Sequence, residues 1–449
     1  MPLSHGRGDR LLLCRDRECA APVYSIDTPA TSARPPEDLE PGVWFWQLRD
    51  LVHGGIGCEK SPIWEFTVRP RDTLVDTSWR PAFDDNRDGF GDLAAIGQTY
   101  GAALVLQGGA TQLGSPVLAF SGPTSQLDPS AVEYAGDVNG DGFGDLLVTG
   151  DSGAWFLQFG DETGLSAGHI QGVGRDVDYV GAGDIDGDGY ADVVTVGTDS
   201  GVGVRRGGPG GLTSALLSSG VHGHAAAGLD VNGDGFGDVI VGDAAGPGGI
   251  VVLLGGTSGL QSMAAVGCPF IGARDAVPLN AGDVDGDGYA DVLVSSSGAS
   301  SVTNWIVRGG PNPGSYSGTL FQPPEAIDAS SFMDAADIDD DGFSDLVVLS
   351  RSLDHTEQTV SIHLGGIGMW GALPSSTFLS PATEIDGRGA ALAVRDFDGD
   401  GHGDIVIAGQ SSPTAPALWY CPGGSLPATL IPLPRGTLFW NHPGPGLAQ

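Results

Sequence analysis

The chain has a single lysine, Lys60, and only 20 basic residues in all against 56 acidic ones. A net charge of −36 leaves nothing to neutralise a phosphate backbone, which excludes nucleic-acid binding by ordinary electrostatics. Cysteine is scarce too, with five in 449 residues, too few for a disulfide-built scaffold. Cys14 and Cys19 are close enough in sequence for a hairpin disulfide, whereas Cys58, Cys268 and Cys421 read as small buried hydrophobes. No run of about eighteen apolar residues exists, so no helical membrane span is expected. The opening text MPLSHGRGDRLLLC is too poor in apolar residues for the h-region of a secretory leader.

What the chain has in excess is glycine and aspartate in a fixed pattern. A nine-residue unit occurs seven times: DDNRDGFGD, DVNGDGFGD, DIDGDGYAD, DVNGDGFGD, DVDGDGYAD, DIDDDGFSD and DFDGDGHGD. Position 1 is Asp84, Asp137, Asp184, Asp230, Asp283, Asp337 and Asp396. Position 3 is Asn86, Asn139, Asp186, Asn232, Asp285, Asp339 and Asp398. Position 5 is Asp88, Asp141, Asp188, Asp234, Asp287, Asp341 and Asp400, and position 9 is Asp92, Asp145, Asp192, Asp238, Asp291, Asp345 and Asp404. Four copies carry four Asp at these places and three carry three, so 25 of the 56 acids are accounted for.

Alternate oxygen-bearing side chains on a tight loop, with glycine at position 6, suit a hard cation that takes six to eight oxygen ligands. Glycine tolerates the positive φ of the sharp turn. An EF-hand loop begins alike but needs Glu at its twelfth position. Here that position is Ala95, Val148, Thr195, Val241, Val294, Val348 or Ile407, so a helix–loop–helix is excluded. Position 9 leads instead into a β-branched apolar run such as VVTVG or IVIAG, which reads as a strand. An isolated Asp-Gly turn would be an ordinary hairpin. Seven copies with the same places filled point to calcium, with about seven ions expected.

The copies start 53, 47, 46, 53, 54 and 59 residues apart, about one four-stranded blade each. A strand leads into each loop, one leaves it, a third comes after (ALVLQ, AWFLQF, GVGVRR, IVVLL) and a glycine turn precedes a short fourth. The expected fold is all-β, a seven-bladed β-propeller of four-stranded antiparallel blades over residues 71–449.

These motifs resemble the FG-GAP (or VCBS-type) repeat family, whose best-known members are integrin α-subunit propellers. The resemblance covers roughly residues 75–440. It implies that calcium is held by positions 1, 3, 5 and 9 and by the carbonyl of position 7, which is Phe90, Phe143, Tyr190, Phe236, Tyr289, Phe343 and His402. It also implies that the position-7 rings wedge between blades. His402 departs from the aromatic pattern, and Arg87 stands in the first loop where a small residue is usual. Residues 1–70 differ in character: LEPGVWFWQLRD and SPIWEFTV resemble the last strands of a fibronectin type III domain, a partial β-sandwich. The chain is accordingly expected to be the C-terminal part of a longer protein, secreted or at the cell surface, where millimolar calcium prevails.

Four further signals are read conservatively. GLSAG at 164–168 matches a nucleophile elbow, but it falls in the recurring glycine turn rather than between a strand and a helix. The tripeptide Arg7–Asp9 is attributed to chance. His222 and His224 lack a third ligand for a transition metal. Trp370 is read as a packing residue rather than a sugar platform. The expected function is therefore non-catalytic adhesion or recognition of a protein or glycan ligand. The alternative is a carbohydrate-active propeller: a polysaccharide lyase-like enzyme, because similar repeats occur in certain polysaccharide lyases and in a phospholipase, or a sugar-binding lectin.

Overall fold

The computed structural model describes residues between Asp9 and Pro432, leaving out residues 69–82 and many of the connections between strands. It divides into two compact units, Met1–Asp72 and Thr73–Gln449. In the first, β1 (Asp9–Cys14), β2 (Tyr24–Thr28), β3 (Gly42–Val52), β4 (Gly55–Lys60) and β5 (Trp64–Val68) form one antiparallel sheet in the order β2-β1-β3-β4, with β5 also on β3. A Cys14–Cys19 disulfide closes a short loop beside Leu12 and Phe45. Cys421 in the second unit is buried and free, while Cys268 and the side chain of Cys58 lie outside the described residues.

The second unit begins with a three-stranded sheet, β6 (Leu93–Gly97), β7 (Ala102–Leu106) and β8 (Val117–Ser121). Six four-stranded sheets come after it. They are β9 (Pro129–Gly136), β10 (Asp145–Gly150), β11 (Ala154–Gln158), β12 (His169–Val173); then β13 (Val177–Gly183), β14 (Asp192–Gly197), β15 (Gly201–Arg205), β16 (Leu217–Ser218); then β17 (Gly223–Leu229), β18 (Asp238–Asp243), β19 (Ile250–Leu254), β20 (Gln261–Ser262). The last three are β21 (Arg274–Gly282), β22 (Asp291–Ser297), β23 (Val302–Val307), β24 (Gly318–Phe321); then β25 (Phe332–Ala336), β26 (Asp345–Arg351), β27 (Gln358–His363), β28 (Ser376–Leu379); and β29 (Ala391–Arg395), β30 (Asp404–Ser412), β31 (Ala415–Cys421), β32 (Thr429–Pro432). Each is a meander of sequential antiparallel pairs.

This corrects the expected architecture. The described chain is all-β, but no sheet is closed into a barrel or propeller, and the first repeat has three described strands rather than four. Hydrogen-bonded ladders stop at the edges of each small sheet because the chain leaves each meander after its last strand and starts a new ladder instead of returning to the old one. The strand expected ahead of Asp84 lies outside the described residues.

Side-chain packing, not strand pairing, joins the sheets. From the second repeat on, the second strand is buried on both faces, as with Val193, Val194, Thr195 and Val196 of β14. That explains their unbroken apolar runs. Trp155 and Leu157 of one repeat pack on Tyr179, Val193 and Leu212 of the next. Equivalent clusters join later neighbours, and Leu106 and Leu113 of the first repeat pack with Phe397 and Tyr420 of the last.

Candidate metal sites

From the second repeat on, each nine-residue loop joins the first and second strands of its repeat, and in all seven the position-9 carboxylate anchors the loop. In the second repeat Asp145 is fully buried, and its Oδ2 accepts the Val138 N–H at 2.8 Å while its Oδ1 accepts the Gly160 N–H at 3.0 Å. Val138 is position 2 of the loop, and Gly160 opens the turn after β11. One carboxylate thus ties the start of the loop to the end of the third strand. The same two bonds recur at Asp92, Asp192, Asp238, Asp291, Asp345 and Asp404. Asp404 also accepts the Tyr420 hydroxyl at 2.8 Å.

Position 1 folds the loop on itself. Asp137 Oδ1 accepts the N–H groups of Gly140 and Asp141 at 2.7 and 3.0 Å, and Oδ2 accepts that of Gly142 at 2.7 Å. Such an arrangement needs glycine at position 6, where Gly142 has φ +89°. Position 5 caps position 7: Asp141 Oδ1 accepts the Phe143 N–H at 3.0 Å, as Asp188, Asp287 and Asp341 do for Tyr190, Tyr289 and Phe343. Where position 3 is Asn, its Oδ1 accepts the position-5 N–H and its Nδ2 donates to the position-5 carboxylate, as in Asn86, Asn139 and Asn232.

Four loops bring acids together. Carboxylate oxygens of Asp184, Asp186 and Asp192 lie within 4.8 Å of one another, as do those of Asp283, Asp285 and Asp291, of Asp337, Asp339 and Asp345, and of Asp396, Asp398 and Asp404. Two oxygens bound to one calcium at 2.3–2.6 Å are separated by about 5 Å at most, so each triad could hold a divalent cation. Asp186 Oδ1 and Asp285 Oδ1 are buried and accept no hydrogen bond, and unsatisfied buried carboxylate oxygens within such triads fit a hard cation. The triads consist of positions 1, 3 and 9. Position 5, expected as a ligand, is not among them, and Asp400 lies outside the described residues.

Burial raises the pKa values of the position-9 carboxylates. Desolvation pushes Asp92, Asp145 and Asp192 up to about 8, Asp291 to about 7 and Asp345 to about 6, despite the backbone N–H groups that favour the ionised form. Asp238, the most enclosed, is raised well above the usual range for the same reason.

The position-7 rings pack on the preceding loop. A Cβ added to Gly187, Gly233 or Gly286 at position 4 would meet the ring of Phe236, Tyr289 or Phe343 at 2.6, 2.7 or 2.5 Å. His402 instead sets its Nδ1 3.2 Å from the Ile338 carbonyl. Backbone bonds run beside the rings: the position-8 N–H donates to the position-1 carbonyl of the preceding loop, as Ala191 does to Asp137 at 2.8 Å.

The remaining sequence signals resolve simply. Ser166 N–H donates to the Phe159 carbonyl, and the same bond joins Thr213 to Arg206 and Gly114 to Gln107, so GLSAG is one instance of a repeated turn. Trp370 is buried, donates its Nε1–H to the Ser344 carbonyl at 2.7 Å and packs edge-on against Phe321. Arg7, Arg87 and His222 lie outside the described residues. Three contributors were not foreseen. Asp85, at position 2 of the first loop, is buried opposite Gln107, and Arg206 and Arg308 reach the triads from the start of the glycine turn. The text RRGG and VRGG at those turns was the available signal.

Comparison with known proteins places the repeats. A family model described as FG-GAP-like repeat matches residues 137–195, 184–241, 230–294 and 283–348. No curated protein matches. Among solved structures, the BP39L lectin from Burkholderia pseudomallei is similar at 13% identity, with a TM-score of 0.51 over 77% of this chain and 99% of that one. Apo AztD from Citrobacter koseri is similar at 12% identity, with a TM-score of 0.43 over 95% of both chains. At such identities the lectin likeness concerns fold alone, and neither match singles out integrin α-subunits. The chain is a repeat protein whose residues 137–348 match FG-GAP-like repeats, with acidic clusters able to hold divalent cations.

Proposed function

We propose that this chain is a non-catalytic, calcium-stabilised recognition protein that works outside the cell, with a protein or glycan as its ligand. The observation that carries this reading is the recurrence of one acid triad, at positions 1, 3 and 9, in four loops. An enzyme concentrates different groups at one place; here the same group is repeated at equivalent places. The position-9 acids are already engaged by two backbone N–H groups each, which suits a scaffold rather than an acid or base. Calcium is favoured over magnesium because the ligands sit on loops of varied composition, and magnesium demands a smaller, near-octahedral shell. Filling of all seven loops, including the three with Asn at position 3, belongs to the same proposal, as do the position-5 acids and position-7 carbonyls as further ligands.

Integrin-like adhesion is the finer form of this reading. A sugar ligand, suggested by the distant lectin, has less support, because the exposed large hydrophobic residues among those described are Val23, Leu320, Leu373 and Leu379, with no aromatic ring. Sugar recognition commonly uses a ring face. The first unit is read as a partial fibronectin type III-like module.

The test is calorimetric titration of chelator-stripped protein with calcium and with magnesium, alongside thermal melts. Calcium binding that raises the melting temperature, with poor rescue by magnesium, is the expected result. An identical melting curve in calcium and in excess chelator would overturn the reading.

A further inference from the structure

The four acid triads are not alike. Arg206 Nη1 lies 2.9 Å from Asp186 Oδ2, and Arg308 Nη1 lies 3.0 Å from Asp285 Oδ2. Both aspartates stand at position 3. Their side chains are 4% and 10% exposed, whereas the arginines are 38% and 41% exposed. Each arginine therefore leans a partly solvated guanidinium onto an enclosed carboxylate. The base of Arg206 is held in place: its N–H donates to Thr213 Oγ1, and its carbonyl accepts the Thr213 N–H. The next residue in each case, Gly207 or Gly309, gives its N–H to the position-9 acid of the same triad. The arginine thus enters from the turn that completes the site. At the other two triads the corresponding residues are Leu364, before Gly365, and Pro422, before Gly423, and neither carries charge.

One guanidinium leaves each of these two triads with an unanswered carboxylate oxygen, Asp186 Oδ1 or Asp285 Oδ1. A cation bound there would draw on the same position-3 carboxylate that the arginine holds. Two positive charges sharing one carboxylate repel each other, so the ion must displace or weaken the ion pair. We infer that Arg206 and Arg308 are affinity-setting competitors for the cation. They hold the triads at Asp184 and Asp283 together when no ion is bound and make them the weaker sites. The triads at Asp337 and Asp396 have no such arginine at the turn, so they are the tighter sites and the ones whose loops depend most on the ion. This inference rests on the cation-binding reading above and adds a ranking to it.

The test uses the full chain stripped by chelator, with calcium as the probe, and compares wild type with Arg206→Met, Arg308→Met, the double variant and Arg206→Lys. Calorimetry should resolve a tight and a weak class in the wild type. Each Met substitution should move one equivalent from the weak class to the tight one, a gain on the order of tenfold, the size of one hydrogen bond to a charged group. Arg206→Lys should keep the weak site weak. A second readout separates competition from a structural role: the Met variants should melt lower than wild type in chelator and recover the difference in saturating calcium. Arg206→Gln, which keeps polar bulk without charge, should repeat the pattern if Met perturbs folding. Isotherms that superimpose while calcium still binds overturn the inference and leave the cation reading standing. Absence of calcium binding in every variant overturns both.

Discussion

The Tyr190 ring covers Gly140 so closely that a Cβ there would come within 2.6 Å of the ring's Cε1. The glycine is at position 4 of one loop and the tyrosine at position 7 of the next, so two successive metal loops are joined by a contact only glycine allows. Gly140 also has φ +76°, a conformation that costs an L-residue roughly 1–2 kcal/mol. Gly140→Ala should therefore lower stability by about 2 kcal/mol, seen as a lower urea midpoint. Gly208→Ala is the control, since a Cβ there meets nothing within 4 Å, and it should leave the midpoint unchanged. Equal effects from the two substitutions would show that the ring contact is unimportant.

The doubly engaged carboxylate at position 9 leads to a different expectation. Asp145→Asn presents an NH₂ to one of two backbone N–H groups, Val138 or Gly160, that now point at oxygen. Losing a buried acceptor costs about 1–3 kcal/mol. The loss should be present in chelator and in calcium alike. Asp141→Asn, at position 5 and exposed, should be nearly silent in chelator. Melts of both variants with and without calcium check this, and an Asp145→Asn variant as stable as wild type in chelator would sink the anchoring role.

Burial of these acids sets the sign of the pH dependence. Asp92, Asp145 and Asp192 titrate near 8 in the folded chain, while an unfolded Asp titrates near 4. A folded pKa above the unfolded one means that protonation favours the fold. The stabilising contribution is full below about pH 4 and is lost as pH rises through the folded values. In chelator, the melting temperature should fall between pH 5 and pH 8. Calcium should flatten the fall, since it favours the ionised carboxylates. A chelator curve that rises over this range would contradict the argument.

Much of the candidate site was legible because loop chemistry is local. The nine-residue spacing, the position-6 glycine and the β-branched run after position 9 each depend on neighbours within one repeat. The parts that were not legible depend on side chains arriving from elsewhere. Arg206 and Arg308 lie about twenty residues beyond the aspartates they meet, and only the meander brings them back. Position 5 looked equivalent to positions 1 and 3, but the acids found within 4.8 Å of one another are those at positions 1, 3 and 9, while Asp188 of the same loop as Asp184 turns one oxygen to the Tyr190 N–H. The strands were readable, but the expected closure into a seven-bladed propeller was not what the sheet order gave, because periodicity counts repeats and does not determine where ladders end.

An ion pair between an enclosed aspartate and a half-buried arginine links two repeats, and neither residue is itself a member of a triad. Asp334 on β25 is 1% exposed, and its Oδ2 accepts the Val394 N–H of β29 at 2.9 Å and faces Arg395 Nη1 at 3.2 Å. Asp334→Ala leaves a guanidinium and a backbone N–H without this acceptor, at a cost of about 3 kcal/mol. Arg395→Ala takes the guanidinium away from the enclosed carboxylate, and should also destabilise. The pair should be coupled, so the double variant should lose less than the sum of the single losses by about 1 kcal/mol or more. Urea unfolding of the four proteins, in chelator and in calcium, measures the coupling. Because neither residue belongs to an acid triad, the coupling should be the same in both conditions. Additive losses would show that the two side chains do not act as a pair and that other contacts join these repeats, and a coupling that appears only with calcium would tie the pair to the metal loops instead.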